Sequence, residues 1–97
     1  MHYRFEWDTE KARGNLAKHG VAFEEARSVF TDRWAIEAYD EKHSTYEHRL
    51  LITGMSDHNR LLVVAFTLRD HETIRIISSR RAKRHEEQTY EESLRSR

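Results

Sequence analysis

The sequence predicts an α+β fold: two N-terminal helices, an antiparallel sheet of about four strands with a short N-terminal edge strand, and a C-terminal helix. Three observations lead to this prediction. Apolar and polar residues alternate at the N-terminus, apolar residues then recur at helical spacing to residue 30, and runs rich in apolar residues follow from residue 34. The polar breaks between the last runs are short, which favours hairpins over crossover connections.

The first three elements are a strand and two helices. Tyr3 to Trp7 places aromatic residues at every second position, which predicts a short, half-buried edge strand. Asp8 can accept hydrogen bonds from a first helical turn and Gly20 can end a helix, so the first helix is predicted over residues 9–19. Phe23 to Phe30 carries its apolar residues on one face and predicts a second helix.

Strands and a last helix are predicted for the rest of the chain. The third of four strands is almost continuously apolar and should be central to the sheet. The predicted strands are Trp34 to Tyr39, Arg49 to Met55, Leu61 to Leu68 and Thr73 to Ser78. A stripe of residues four apart then predicts a helix from Arg80 to Leu94. The stripe consists of Ala82, Glu86, Tyr90 and Leu94.

Composition limits the classes of protein to which this chain can belong. With 97 residues, no proline and three glycines, we expect one domain over residues 1–97. The absence of cysteine excludes disulfides, thiolate zinc sites and a cysteine nucleophile, and it favours a cytoplasmic location. No apolar segment is typical of a signal peptide or a membrane helix, so we expect neither secretion nor membrane spanning.

Basic charge is concentrated in one segment although the chain as a whole is neutral. Seventeen Lys and Arg residues balance seventeen Asp and Glu residues. Between Thr73 and His85 there is no carboxylate, and acidic residues follow at once from Glu86. The basic residues of this segment are Arg75, Arg80, Arg81, Lys83 and Arg84. Such a local cluster predicts a site for phosphate groups rather than a general attraction to nucleic acid.

Motifs along the chain resemble those of the BrnT toxin family. In the first half these are Phe5-Glu6-Trp7-Asp8, Lys11, Asn15, Lys18-His19-Gly20, and Phe23-Glu24-Glu25-Ala26 with Phe30. In the second half they are Glu47, Arg49, Gly54, Thr67, Arg69, and Arg75-Ile76-Ile77-Ser78 followed by Arg80, Ala82, Glu86 and Tyr90. No single block is specific, but the ordered set spans residues 5 to 91.

The resemblance implies a RelE-like fold and a ribonuclease toxin of a type II toxin–antitoxin pair that arrests translation. Its implied partner is a BrnA-type ribbon-helix-helix antitoxin, through which alone the toxin would contact DNA. No cofactor is implied, and no metal site is expected because the histidines lack a helical His-x-x-x-His pair. The alternatives are a catalytically inactive module that acts with the antitoxin in a repressor complex, and a domain that binds RNA or the ribosome without cleavage.

Cleavage of RNA without a metal needs a base, an acid and cations for the phosphate. Arg69, Arg75 and Arg80 lie near strand ends around the last hairpin, and supported by the resemblance we expect them to converge on one phosphate. In that hairpin, Arg69 and Arg75 should lie opposite each other. The alternative is that all three are ordinary exposed charges.

Each of the further candidates also has a structural alternative. His19 can act as a base or be a half-buried histidine at a helix end, where Lys18 and His19 also suit the helix dipole. Glu47 and Arg49 lie on one face of a strand and can form an ion pair, or a base beside a phosphate clamp. Tyr90 can stack on a base or pack in the core. The remaining candidates for general RNA binding are Lys18, Arg81, Lys83 and Arg84.

Overall fold

A computed structural model of the chain describes residues 3–43 and 48–96. It contains a five-stranded sheet in the order β1-β5-β4-β3-β2. The strands are β1 (Arg4–Glu6), β2 (Ile36–Tyr39), β3 (Leu50–Met55), β4 (Leu61–Arg69) and β5 (Thr73–Arg81). The helices are α1 (Thr9–His19), α2 (Phe23–Ser28) and α3 (Arg84–Arg95), with 3-10 turns at Val29–Thr31 and Glu41–His43. The predicted α+β architecture is confirmed.

Pairing in the sheet is mixed. β1 is an edge strand, as predicted, and it runs parallel to β5, whereas the other pairs are antiparallel. β4 is the central strand, as its apolar sequence predicts. The prediction that Arg69 and Arg75 lie opposite each other is wrong, because Arg69 pairs with Thr73 and Arg75 pairs with Thr67.

The main core lies between the sheet and the two N-terminal helices. Four buried residues of the helical segment face five buried residues of β4 and β5. The first group is Val21, Phe23, Ala26 and Val29, and the second is Leu62, Val64, Phe66, Ile74 and Ile76. Burying each large apolar side chain contributes about 1.5 to 3 kcal/mol, so this interface is the main source of stability.

The predicted bounds of α1 are confirmed by both of its caps. The Asp8 carboxylate accepts a hydrogen bond from the Lys11 amide at 3.1 Å, and Gly20 takes the left-handed conformation at φ 69°. Glycine is the residue that adopts this conformation without a steric cost. The second predicted helix is shorter than expected, because α2 ends at Ser28 and the chain tightens into the 3-10 turn to Thr31.

The prediction that the last helix begins at Arg80 is wrong. β5 continues to Arg81, which pairs with Leu62, while Arg80 pairs with Val63. These pairings are possible because β4 extends far enough to offer partners to both residues. The four-residue spacing of the predicted helical stripe does not show that β4 pairs with Arg80 and Arg81. The start of the helix is therefore predicted four residues too early.

One extra residue interrupts the pairing of β5 with β4. Phe66 pairs with Ile76 and Ala65 pairs with Ser78, so Ile77 has no partner of its own and forms a β-bulge. In a regular strand, positions 75 and 80 would face opposite sides of the sheet. The bulge places both arginines on the face opposite the main core.

The opposite face is partly covered by α3, which is held by a buried tyrosine. Tyr90 is 5% exposed, and its hydroxyl donates a 2.6 Å hydrogen bond to the Asp32 carboxylate. Asp32 also accepts hydrogen bonds from the backbone amides of Trp34 and Met55. Gly54 allows the segment from Asp32 to Ala35 to pack closely against β3, since a Cβ at Gly54 would lie 2.9 Å from the Ala35 side chain.

A buried carboxylate ties α2 to the β3–β4 hairpin. Glu25 is 5% exposed and accepts hydrogen bonds from Arg60 Nε at 2.9 Å and Ser56 Oγ at 2.6 Å, with a second bond from the Arg60 guanidinium. The bond from Arg60 is the main reason that the pKa of Glu25 is lowered. Arg60 also donates to the Gly20 carbonyl at 3.1 Å, so one side chain joins the end of α1 to this network.

Candidate active site

A cavity of about 440 Å³ opens on the sheet face that α3 leaves uncovered. Its floor is formed by residues of three neighbouring strands whose side chains point away from the main core. These residues are Leu51, Val63, Ala65 and Ser78. Its walls carry five basic side chains and one carboxylate. The basic residues are His19, Lys42, His43, Arg49 and Arg80, and the carboxylate is Asp40. The cavity therefore suits an anionic group.

Arg80 is held in the cavity wall by an ion pair with the first turn of α3. Its Nη1 and Nη2 atoms each donate a 2.8 Å hydrogen bond to Glu86, one to each carboxylate oxygen. Glu86 also accepts a 2.7 Å bond from the Lys83 amide and so caps α3. The bonds from Arg80 are the largest cause that lowers the pKa of Glu86 to about 2, and the pKa of Arg80 is raised in return.

This geometry leaves one edge of the guanidinium for a ligand. Nη1 of Arg80 donates to Glu86 and, at 3.2 Å, to the Arg81 carbonyl. Within the described part of the chain, Arg80 Nε has no hydrogen-bond partner, and Nη2 uses one of its two protons on Glu86. The edge formed by Nε and Nη2 is therefore available for two oxygens of a phosphate.

His19 reaches the cavity because Asn15 fixes the end of α1 against β5. The Asn15 side chain is 7% exposed and exchanges two hydrogen bonds with the backbone of Ser79, at 2.8 and 3.0 Å. It also donates to the Val21 carbonyl at 2.9 Å. His19 follows one helical turn later and therefore lies beside Ser79 and Arg80 in the cavity wall.

His43 is a second histidine of the cavity, and sequence reasoning did not select it. Its Nδ1 atom lies 3.1 and 3.2 Å from the two oxygens of Asp40. A carboxylate in this position orients an imidazole. Asp40 is itself placed by the backbone, since its amide donates to the Arg49 carbonyl at 2.8 Å. The only sequence signal was the three-residue spacing of Asp40 and His43.

The three arginines predicted to converge are separated. Arg80 lines the cavity, whereas Arg69 and Arg75 both contact Glu6, at 3.3 and 2.9 Å. The prediction of one site with three arginines is therefore wrong, because the register of β4 and β5 puts Arg69 and Arg75 at the far end of the sheet.

The other predicted site residues have four different outcomes. Arg49 lines the cavity, and Glu47 lies outside the described residues. Tyr90 of α3 is buried against the rest of the protein, which agrees with the alternative that it packs in the core. Burial and its hydrogen bond to Asp32 raise the pKa of Tyr90 to about 12. The remaining basic residues are exposed and do not line the cavity. They are Lys18, Arg81, Lys83 and Arg84.

The described residues contain neither a group of metal ligands nor a membrane-spanning helix. Within residues 3–43 and 48–96, no three His, Asp or Glu side chains are grouped so that they can hold a metal ion. No helix in these two ranges is both long and apolar enough to cross a membrane.

Comparisons with known proteins identify the family of this chain. The family model described as "Ribonuclease toxin, BrnT, of type II toxin-antitoxin system" matches residues 7–86. The crystal structure of the Brucella abortus ribonuclease toxin BrnT is similar in fold, with a TM-score of 0.62 and 23% sequence identity over 84% of this chain and 99% of that one. No curated protein matches the chain. The family match covers most of the sequence, and the chain belongs to the BrnT family of ribonuclease toxins of type II toxin–antitoxin systems.

Proposed function

We propose that the cavity is the catalytic centre of a metal-independent endoribonuclease that cleaves messenger RNA and thereby arrests translation. The observation that carries this proposal is the position of Arg80. Glu86 holds its guanidinium in the wall of the same cavity that His19 and His43 line. A fixed cation beside two proton-exchanging groups is what cleavage of a phosphodiester requires.

In this mechanism His43, oriented by Asp40, removes the proton from a ribose 2′-hydroxyl. The 2′-oxygen then attacks the adjacent phosphorus and the bond from phosphorus to the 5′-oxygen breaks. His19 donates a proton to that leaving oxygen, so the products are a 2′,3′-cyclic phosphate and a 5′-hydroxyl. Arg80 and Arg49 stabilise the extra negative charge that develops on the phosphate oxygens.

The test compares two neighbouring arginines. Arg80→Ala removes the guanidinium that Glu86 holds in the cavity wall, and Arg81→Ala removes an exposed cation outside the cavity. We expect Arg80→Ala to lower the rate of RNA cleavage by about 100-fold or more and Arg81→Ala to change it by only a few-fold. Circular dichroism and antitoxin binding serve as controls for folding.

Three outcomes are informative. Equal rates for the two variants would show that the cavity is not the catalytic centre. Loss of the folded state in Arg80→Ala would make that variant unsuitable, and His43→Gln, which alters an exposed turn, would replace it. A wild-type chain that binds an antitoxin but produces no new RNA ends would identify an inactive module of a repressor complex instead.

We further propose that a BrnA-type ribbon-helix-helix antitoxin neutralises this toxin in the cytoplasm and supplies all contacts with DNA. The whole chain would act as one toxin domain. Membership in a family of type II toxins supports an antitoxin partner. Co-expression with the adjacent small reading frame should restore growth and yield a stable complex. Growth arrest that persists under co-expression would contradict this assignment.

A further inference from the structure

Two arginines and one carboxylate form a cluster at the far end of the cavity face. Arg75 Nη1 lies 2.9 Å from Glu6 Oε2, and Arg69 Nη1 lies 3.3 Å from the same oxygen. Two guanidinium groups thus share one carboxylate, so the cluster keeps one positive charge in excess. The Arg69 and Arg75 side chains are 57% and 34% exposed, so both remain accessible to a ligand.

The cluster and the cavity lie on the same side of the sheet. Thr67 and Val63, four residues apart on β4, share one face and pair with Arg75 and Arg80. The bulge at Ile77 keeps both arginines on that face despite their odd separation. At roughly 3.3 Å per residue along β4, the two positions are about 13 Å apart.

The shared face also provides a path between the two positions. Ala65 and Ser78, two small residues that line the cavity, pair with each other between these positions, and the bulged Ile77 lies beside Ser78. A stacked strand of nucleic acid advances by roughly 3.4 Å per nucleotide. About four stacked nucleotides, or fewer if the strand is extended, therefore span the distance from Arg80 to Arg75.

We propose that Arg69 and Arg75 form a second phosphate-binding subsite, which holds single-stranded RNA a few nucleotides from the bond that is cleaved. This inference rests on the proposed function of the cavity. In the free protein Glu6 occupies the guanidinium groups, and an RNA phosphate replaces it as their partner. The subsite adds affinity for longer RNA and takes no part in the chemical step.

The test measures RNA binding rather than cleavage. The probes are a labelled ten-nucleotide RNA and a trinucleotide, both fully 2′-O-methylated so that neither can be cleaved, and anisotropy is followed over a range of salt concentrations. Arg75→Gln should weaken binding of the ten-nucleotide RNA about 3- to 10-fold. It should also reduce the slope of log K against log salt by about 0.7, as expected for one lost phosphate contact on a single strand. Binding of the trinucleotide should not change.

Two further variants separate this role from a purely structural one. Arg13→Gln is the matched control, because Arg13 pairs with Glu10 at 3.3 Å on an exposed face of α1. It should leave both affinities unchanged. Glu6→Gln removes the competing carboxylate and should tighten binding of the ten-nucleotide RNA, whereas a structural link between strands predicts no gain. If Arg75→Gln does not fold, Arg69→Gln replaces it and leaves the Glu6–Arg75 pair intact.

The outcomes distinguish the subsite from the catalytic proposal. The subsite would be overturned if Arg75→Gln and Arg13→Gln lost the same affinity for the ten-nucleotide RNA. It would also be overturned if Arg75→Gln lost as much affinity for the trinucleotide as for the ten-nucleotide RNA. In either case, RNA cleavage by the wild-type chain would still support the cavity as the catalytic centre. A wild-type chain that binds neither RNA would overturn both proposals. Weaker antitoxin binding by Arg75→Gln with unchanged RNA binding would assign the cluster to the antitoxin instead.

Discussion

Replacing Glu86 by glutamine isolates the ion pair that holds Arg80 in the cavity wall. Glutamine keeps an oxygen that can accept the bond from the Lys83 amide, so the cap of α3 is retained while the charge is lost. The pKa of Glu86 is lowered from 4.5 to about 2, chiefly by the hydrogen bonds from Arg80. A shift of this size corresponds to about 3 kcal/mol. The Arg80 side chain is 33% exposed, so solvent screening reduces this contribution. We therefore expect Glu86→Gln to lower the free energy of unfolding at pH 7 by about 1 to 2 kcal/mol.

The pH dependence follows from the direction of this shift. A carboxylate whose pKa is lowered by folding stabilises the protein above its unfolded pKa, and this contribution is lost as the pH falls through the folded value. The loss should therefore occur between about pH 5 and pH 2. At pH 3, less than half of the stability difference between wild type and Glu86→Gln at pH 7 should remain.

Urea denaturation at several pH values provides the measurement, and Glu91→Gln provides the control. Glu91 lies on the exposed side of α3, so its replacement should change the free energy of unfolding by less than about 0.5 kcal/mol. The reasoning would be refuted if Glu86→Gln matched the wild type at pH 7, or if their difference stayed constant from pH 7 to pH 3. Either result would show that the ion pair does not stabilise the folded state.

Three other substitutions test contacts that join the sheet to the helices and loops around it. Tyr90→Phe removes the hydroxyl that binds Asp32, so the free energy of unfolding measured with urea should fall by about 1 to 2 kcal/mol. RNA cleavage should be retained, and its loss would show that Tyr90 takes part in the site. Gly54→Ala places a methyl group 2.9 Å from the Ala35 side chain and should cost about 1 to 3 kcal/mol, and an unchanged melting temperature would disprove that close contact. Arg60→Met leaves the buried Glu25 carboxylate without its main partner and should cost about 3 kcal/mol, whereas a smaller loss near neutral pH would mean that Ser56 suffices.

The bounds of some elements could be predicted from single residues at their ends. α1 has the predicted bounds because both of its ends are set by single residues, Asp8 and Gly20, whose effects do not depend on the rest of the fold. β1 was predicted as an edge strand, but its parallel pairing with β5 depends on a segment about 70 residues away. The end of β5 was missed for a similar reason, since the length of β4 determines it.

The candidate site shows the same division between local and distant information. Arg80, Arg49 and His19 were selected from charge, helix position and family resemblance, and all three line the cavity. The pairing of His43 with Asp40 was not selected, because a histidine in a polar connection looks like any solvated histidine. Arg69 and Arg75 were placed with Arg80 since the bulge and the register of the last hairpin leave no clear mark in the sequence.

The hydrogen bonds of Asn15 have a consequence for how the protein behaves in solution. β1 pairs with β5 only as far as Arg75, so the outer edge of β5 beyond that point lacks a neighbouring strand. An unprotected edge can recruit a strand from another molecule and begin aggregation. The Asn15 amide occupies both the N–H and the carbonyl of Ser79 and blocks this edge in the way a paired strand would. Asn15 therefore protects the sheet edge at Ser79 against the addition of a strand from another molecule.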